Sequence, residues 1–184
     1  MAEESHKAGT LSPEMPLLGL LFAGPCHGYD LHKKVNSELD FVWHLSQSQA
    51  YSILKRLEKR GEVSIQEIAQ ERLPSRQLLR LTPLGKKRFL SWLEAPSSGS
   101  IRAIRLEFIT RIYFARIYFP EKLPRIISIQ REGLEFHIAR LKKVNDRQTL
   151  DRLYNRMSLS LRLVHLENVR QWLDEFEQEI LKPI

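Results

Sequence analysis

Only one cysteine, Cys26, occurs among the 184 residues, so no disulfide can form within the chain, and a reducing compartment suits it. No apolar run reaches the ~18 residues of a membrane-spanning helix. The opening MAEESHKAGTLS has neither the cationic head nor the apolar stretch of a secretion signal. These absences lead us to expect a soluble, cytoplasmic protein. Glycine-rich phosphate loops, a nucleophile elbow and paired carboxylates are missing as well, so neither an enzyme nor a cofactor is expected. Cys26, His27, His32 and His44 match no zinc spacing and supply too few thiolates for a metal site. His137 and His165 sit on amphipathic stretches, where packed or partly exposed side chains are the simpler reading.

What is present is a basic surplus. Lys and Arg number 29 against 22 Asp and Glu, a net charge of +7 and a pI near 9.7, which favours a polyanionic partner. Residues 1–97 hold 13 basic and 11 acidic side chains, and residues 98–184 hold 16 and 11. Placement, more than total charge, must therefore create any anion-binding face.

Along the chain, residues 1–11 read as a loose polar arm. Ser12-Pro13-Glu14 combines a capping hydroxyl, a proline suited to the first helical position and an acid facing the helix dipole. The helix they open, to about Ala23, is apolar on more than one face and so reads as buried. A second helix runs from Gly28 to Glu38 and a turn from Leu39 to Leu45. A third helix is capped by Ser46 and ends at Gly61. Its inward stripe is Ala50, Ile53, Leu54 and Leu57; Gln47, Ser48, Gln49, Ser52, Lys55, Arg56 and Lys59 face outward or flank it. Val63, Ile65, Leu79 and Leu81 alternate with polar neighbours on either side of a Leu-Pro-Ser turn, which predicts a hairpin. Thr82-Pro83 opens another helix, to about Leu93.

APSSGS at 95–100 is the clearest boundary in the chain, and beyond it glycine almost disappears. Helices are expected over 101–118, 121–144 and 149–181, with Pro120 breaking the first from the second. In the last, Leu153, Met157, Leu161, Val164, Leu166, Val169, Trp172, Leu173 and Phe176 form a seam too long for one small subunit to cover. A homodimer is expected, with Leu161, Val164, Val169, Trp172, Leu173 and Phe176 at its interface. The domains are thus 12–94, a linker at 95–100, and 101–184.

A helix-turn-helix followed at once by a hairpin is a winged helix, so the expected fold is mainly α, with a small wing and a C-terminal, coiled-coil-like helical domain for dimerisation. In such a motif the start of the second helix enters the major groove. There Ser46, Gln47, Ser48 and Gln49 can read base edges, and Tyr51 can meet a phosphate or a thymine methyl. Arg72, Ser75 and Arg76 gather at the hairpin tip, where a wing crossing the sugar-phosphate backbone needs cations. The plainer alternatives are a polar helix end and a solvated turn. Tyr113, Phe114, Tyr118 and Trp172 fit either a packed seam or the wall of an effector pocket.

The combination LLGLLFAGPCHGYDL, Phe41-Val-Trp43, SQSQAYSILKRLEKRGEV and RLTPLGKKRFLSWL resembles the PadR family of bacterial transcriptional regulators over about residues 16–94. Beyond the linker, IRAIRLEF and VRQWLDEFEQEI resemble the longer subgroup with a virulence-activator-like helical C-terminal domain. The resemblance implies a homodimer that binds an inverted-repeat operator in double-stranded DNA, commonly as a repressor, with relief by a small, here aromatic, effector. Carried over by position, it implies Gly28 and Tyr29 near phosphate, Ser48, Gln49 and Tyr51 in the groove, and Lys55 and Arg76 on the backbone. The chain departs from the family at Leu78-Leu79, where an aromatic residue is common, and in its short wing carrying Glu67 and Glu71. A protein-interaction adaptor built on the same fold is the alternative function, and an effector sensor with incidental DNA affinity a third.

Overall fold

A computed structural model describes residues 11–68, 76–97, 100–145 and 153–182. The chain divides into two compact units, Met1–Ala95 and Pro96–Ile184. Among the described residues no helix is long and apolar enough to cross a membrane. Both units are mainly helical, and the first adds a small antiparallel sheet.

The first unit runs α1 (Glu14–Phe22), β1 (Cys26–His27), α2 (Gly28–Glu38), α3 (Gln47–Lys59), β2 (Val63–Ile68), β3 (Arg76–Leu81) and α4 (Pro83–Glu94). Leu17, Leu18, Leu20 and Leu21 are all buried, which makes α1 the hub on which α2, α3, α4 and β3 pack. Each such leucine contributes roughly 1.5–3 kcal/mol of burial free energy. Leu31 and Val35 of α2 and Ala50, Ile53, Leu54 and Leu57 of α3 close the core from the other side. Gly61, at φ +70°, ends α3 in the left-handed conformation.

Two features differ from the sequence reading. Ser12 does not cap α1: the helix begins at Glu14, with Pro13 in the cap position and no side-chain cap bond. Glu14 is drawn inward instead. One of its oxygens lies 2.6 Å from Arg88 Nη2 and 2.8 Å from Arg60 Nη2, and both arginines also reach Glu62. The second difference is an extra strand, β1, whose Cys26 and His27 pair with Leu79 and Leu78. The sheet order is β1-β3-β2, with β3 central and β2 registered from Val63↔Leu81 to Ile68↔Arg76.

Burial pushes the Glu14 carboxyl up, but the hydrogen bonds and charges of Arg88 and Arg60 outweigh it and hold the group below its ordinary 4.5. Since the unfolded chain then takes up the proton first, Glu14 stabilises the fold fully above pH 4.5 and loses that contribution as the pH falls through the lower, folded value. Glu14→Gln is expected to melt below the parent at neutral pH, with the deficit shrinking on acidification. A pH-independent deficit in circular-dichroism melts would contradict this.

In the second unit, Ser100 accepts a hydrogen bond from Ala103 N–H (3.1 Å) and opens α5 (Ile101–Ala103). A π-helical stretch, Ile104–Phe108, leads into α6 (Ile109–Tyr118). The sequence predicted one uninterrupted helix over this span. The Ile109 N–H instead reaches back five residues to the Ile104 carbonyl, which rotates the faces that follow and leaves Ile104, Leu106 and Phe108 all buried. After a 3-10 turn at Pro120–Lys122 come α7 (Leu123–Asn145) and α8 (Leu153–Leu181). Lys142 meets Glu167 at 2.8 Å, while Arg131 meets Asp174 at 3.1 Å and Glu177 at 2.8 Å. Position on α8 rises as position on α7 falls, so the two helices are antiparallel. Leu159, Leu166 and Leu173, seven residues apart, are the buried stripe of α8.

Candidate nucleic-acid interface

Ser46 leaves the turn in an extended conformation and caps α3. Its Oγ accepts from Gln49 N–H (3.2 Å), and Gln49 Oε1 accepts in return from Ser46 N–H (3.0 Å). Ser48 Oγ lies 3.0 Å from Ser46 Oγ. Gln47, Ser48, Gln49, Ser52 and Lys55 are exposed, with Ser46, on one polar end of the helix. The box uses only the oxygen of the Gln49 carboxamide, and its Nε2 is the donor available to an incoming acceptor. Sequence reading took Gln49 as a base contact alone; the S-x-x-Q spacing was the signal for its second task.

Tyr29, at the start of α2, is exposed, but Gly28 is buried. A Cβ at Gly28 would come within 3.1 Å of the Tyr51 ring and hydroxyl, so this glycine makes room for Tyr51 and offers no side chain to a ligand. Tyr51, half-exposed, thereby bridges the first turns of α2 and α3.

On the hairpin, Arg76 is the first residue of β3, paired with Ile68. Arg72 and Ser75 lie outside the described residues. Arg80, exposed and opposite Ser64, is a cation that the sequence-based site omitted, and its position in the strand alternation marks it as outward-facing. Exposed Glu67 lies opposite Gln77 on the same ribbon. Arg60 and Arg88 are committed to Glu14 and Glu62, whereas Arg56 stays largely exposed, 4.0 Å from Glu14. Cationic side chains at the end of α3 thus split between holding the fold and facing solvent.

The α8 residues assigned to a subunit interface do not share one environment. Leu161, Val164 and Phe176 are exposed; Val169 and Trp172 are half-buried, with Trp172 against Phe108 (ring centroids 6.5 Å) and Phe176 (5.6 Å). Leu173 is 0% exposed within its own subunit and has no surface left for a second one, because it belongs to the stripe facing α7. Tyr154, which the sequence reading passed over, is 84% exposed, and Leu153 and Met157 beside it are exposed too. Tyr113, Phe114 and Tyr118 pack ring to ring at 4.9 and 6.0 Å, with Phe114 wholly buried.

Residues 17–91 match the transcriptional regulator PadR-like family. Over 100 residues the chain is 30% identical to the negative transcriptional regulator PadR of Bacillus subtilis (strain 168), a match covering 53% of each protein, so the chain spans about half the length of this curated relative. Among solved structures, Bacillus subtilis PadR in complex with operator DNA is similar at a TM-score of 0.44 and 22% identity, over 91% of this chain and 98% of that one. The PadR-like transcriptional regulator BC1756 from Bacillus cereus is similar at 0.42 and 22%, over 98% and 99%. The similarity to the transcriptional regulator PadR-like family thus falls on the winged helix, residues 17–91.

Proposed function

We propose that this chain is a sequence-specific DNA-binding transcriptional regulator that acts as a homodimer, residues 12–94 reading DNA and residues 101–184 joining the subunits across the 95–100 linker. The observation that carries the reading is the exposed, capped end of α3, where Ser46, Gln47, Ser48, Gln49 and Ser52 offer hydroxyl and amide groups with no acid among them. Such a surface suits base edges flanked by phosphates. Two copies about 34 Å apart would meet successive major grooves of an inverted repeat. Repression is the favoured outcome, since the Bacillus subtilis relative is named a negative regulator. A small aromatic effector belongs to the same reading, and a thermal shift with small aromatics tests it.

The base-reading and phosphate-holding roles separate by mutation. Gln49→Glu keeps an acceptor for the capping box but replaces the amide donor with a carboxylate, so the melting temperature should hold while operator affinity falls about 100-fold. Arg76→Ala should weaken operator and random DNA alike and lower the salt slope by about one. Equal operator affinity for parent and both variants would remove these residues from the site. A gel-shift titration with the DNA upstream of the chain's own gene decides between the regulator and a protein-interaction adaptor. A salt-sensitive shift supports the regulator, and no shift at micromolar protein supports the adaptor.

A further inference from the structure

The turn that delivers α3 contains neither helix nor strand from Leu39 to Ser46. Within it the Val42 and Trp43 N–H groups both bond the Leu39 carbonyl, at 2.9 and 2.7 Å, which closes the first half of the turn. The second half is held from α2. Leu45 N–H donates to Asn36 Oδ1 (3.0 Å), and the Leu45 carbonyl accepts from Asn36 Nδ2 (2.8 Å). One carboxamide thus satisfies both polar groups of one backbone residue, the pairing a neighbouring strand would otherwise supply. His32, one helical turn earlier, brings Nε2 to 2.8 Å from the same carbonyl and 3.0 Å from Asn36 Nδ2. The Leu45 side chain is buried in the core, so this residue is fixed by its backbone and its side chain together. Ser46, the cap of α3, is the next residue along the chain.

We propose that Asn36 is a positioning residue for base recognition: with His32 behind it, its carboxamide fixes Leu45 and so sets the direction in which Ser46–Gln49 are presented. The inference rests on the DNA reading above. Contacts to base edges depend on distance and angle, whereas long Lys and Arg side chains follow a displaced phosphate. A loosened clamp therefore costs discrimination before it costs general affinity.

The test uses the full chain, a duplex that the parent protein selects from a random pool, and a scrambled duplex of equal length. Asn36→Ala removes both hydrogen bonds, leaves the Leu45 N–H without its Asn36 acceptor while His32 still faces the carbonyl, and places a strong helix former in α2. Affinity for the selected duplex is expected to fall about tenfold, with the scrambled duplex within about twofold and the salt slope unchanged. His32→Ala, which spares the Asn36 pair, should lie between parent and Asn36→Ala; it carries the test at smaller amplitude if Asn36→Ala melts early. A merely structural role would lower both affinities together, and that result overturns the inference. If the parent selects a duplex and both variants select it equally well, the inference alone falls. If the parent selects none, the DNA reading falls and takes the inference with it.

Discussion

Gly85→Ala is expected to destabilise the winged helix by about 4 kcal/mol, near the top of what one substitution does and equivalent to roughly 20 °C in melting temperature for a unit of this size. A Cβ built there lies 2.1 Å from the Glu62 carbonyl oxygen and 2.8 Å from Leu81 Cδ1. The carbonyl cannot swing away, because it accepts from both Thr82 N–H (3.1 Å) and Thr82 Oγ1 (3.0 Å). Thr82 Oγ1 is in turn the cap of α4, accepting from Gly85 N–H at 3.1 Å. Relief of the clash requires α4 to lift from the start of β2, which also strains the Arg88–Glu62 contact at 2.5 Å. Gly133 in α7 provides the contrast: a Cβ there meets nothing within 4 Å, so Gly133→Ala should stabilise by about 0.5–1 kcal/mol through helix propensity alone. Circular-dichroism melts of the two variants check both signs. A Gly85→Ala melt within about 2 °C of the parent would mean that the α4–β2 junction yields easily, contrary to this account.

The parts of the fold that were legible in the sequence are those with local causes. The limits of α2, the cap at Ser46, the inward stripe of α3 and its stop at Gly61 each follow from spacing or from one residue's conformational preference. The parts that were not legible are set by partners far along the chain. Glu14 reads as a dipole-facing acid until Arg88, 74 residues away, turns it inward. A two-residue strand at Cys26–His27 has no alternation to detect and exists only because β3 lies beside it. The π turn at Ile104–Phe108 reflects how its neighbours are buried, which periodicity does not encode. Asn36 is an ordinary polar residue of α2 until the chain returns nine positions later.

The candidate site divides in the same way. Exposure of Gln47, Ser48, Gln49, Ser52 and Lys55 follows directly from the apolar stripe opposite them. The burial of Gly28 beneath Tyr51 does not, because glycine and tyrosine at the starts of two helices carry no sign of which will cover the other. Commitment of Arg60 to Glu14 and Glu62 is equally invisible, since a cation at the end of a helix looks the same whether it faces an acid or the solvent. In α8 one apolar seam turns out to be two stripes. Leu159, Leu166 and Leu173 are buried, while Tyr154, Met157, Leu161 and Val164 are exposed at steps of three, four and three residues. Composition alone merges them, because 3.6 residues per turn puts both stripes within one broadly apolar helix.

That exposed stripe carries the last expected result: if the chain acts as the proposed dimer, Leu161→Glu should convert it into a monomer at micromolar concentration, and operator affinity should fall by about 100-fold or more. The steps of three and four are those of a coiled-coil seam, and a second copy of α8 presenting the same stripe would cover it. In a two-fold assembly each substitution enters the interface twice, so one glutamate per chain desolvates two carboxylates. The loss at the operator follows from linkage. Two reading helices on one dimer bind the second half-site at an effective concentration set by their tether, and separated subunits forfeit that gain without losing a single contact to DNA. The salt slope should drop by about half, because each binding event then neutralises half as many phosphates. Phe136→Glu is the companion variant. Phe136 is exposed on α7, away from the stripe, so its charge should leave the dimer intact. Sedimentation velocity on the two variants distinguishes the faces: a dimer that survives Leu161→Glu but not Phe136→Glu would move the seam from α8 to α7.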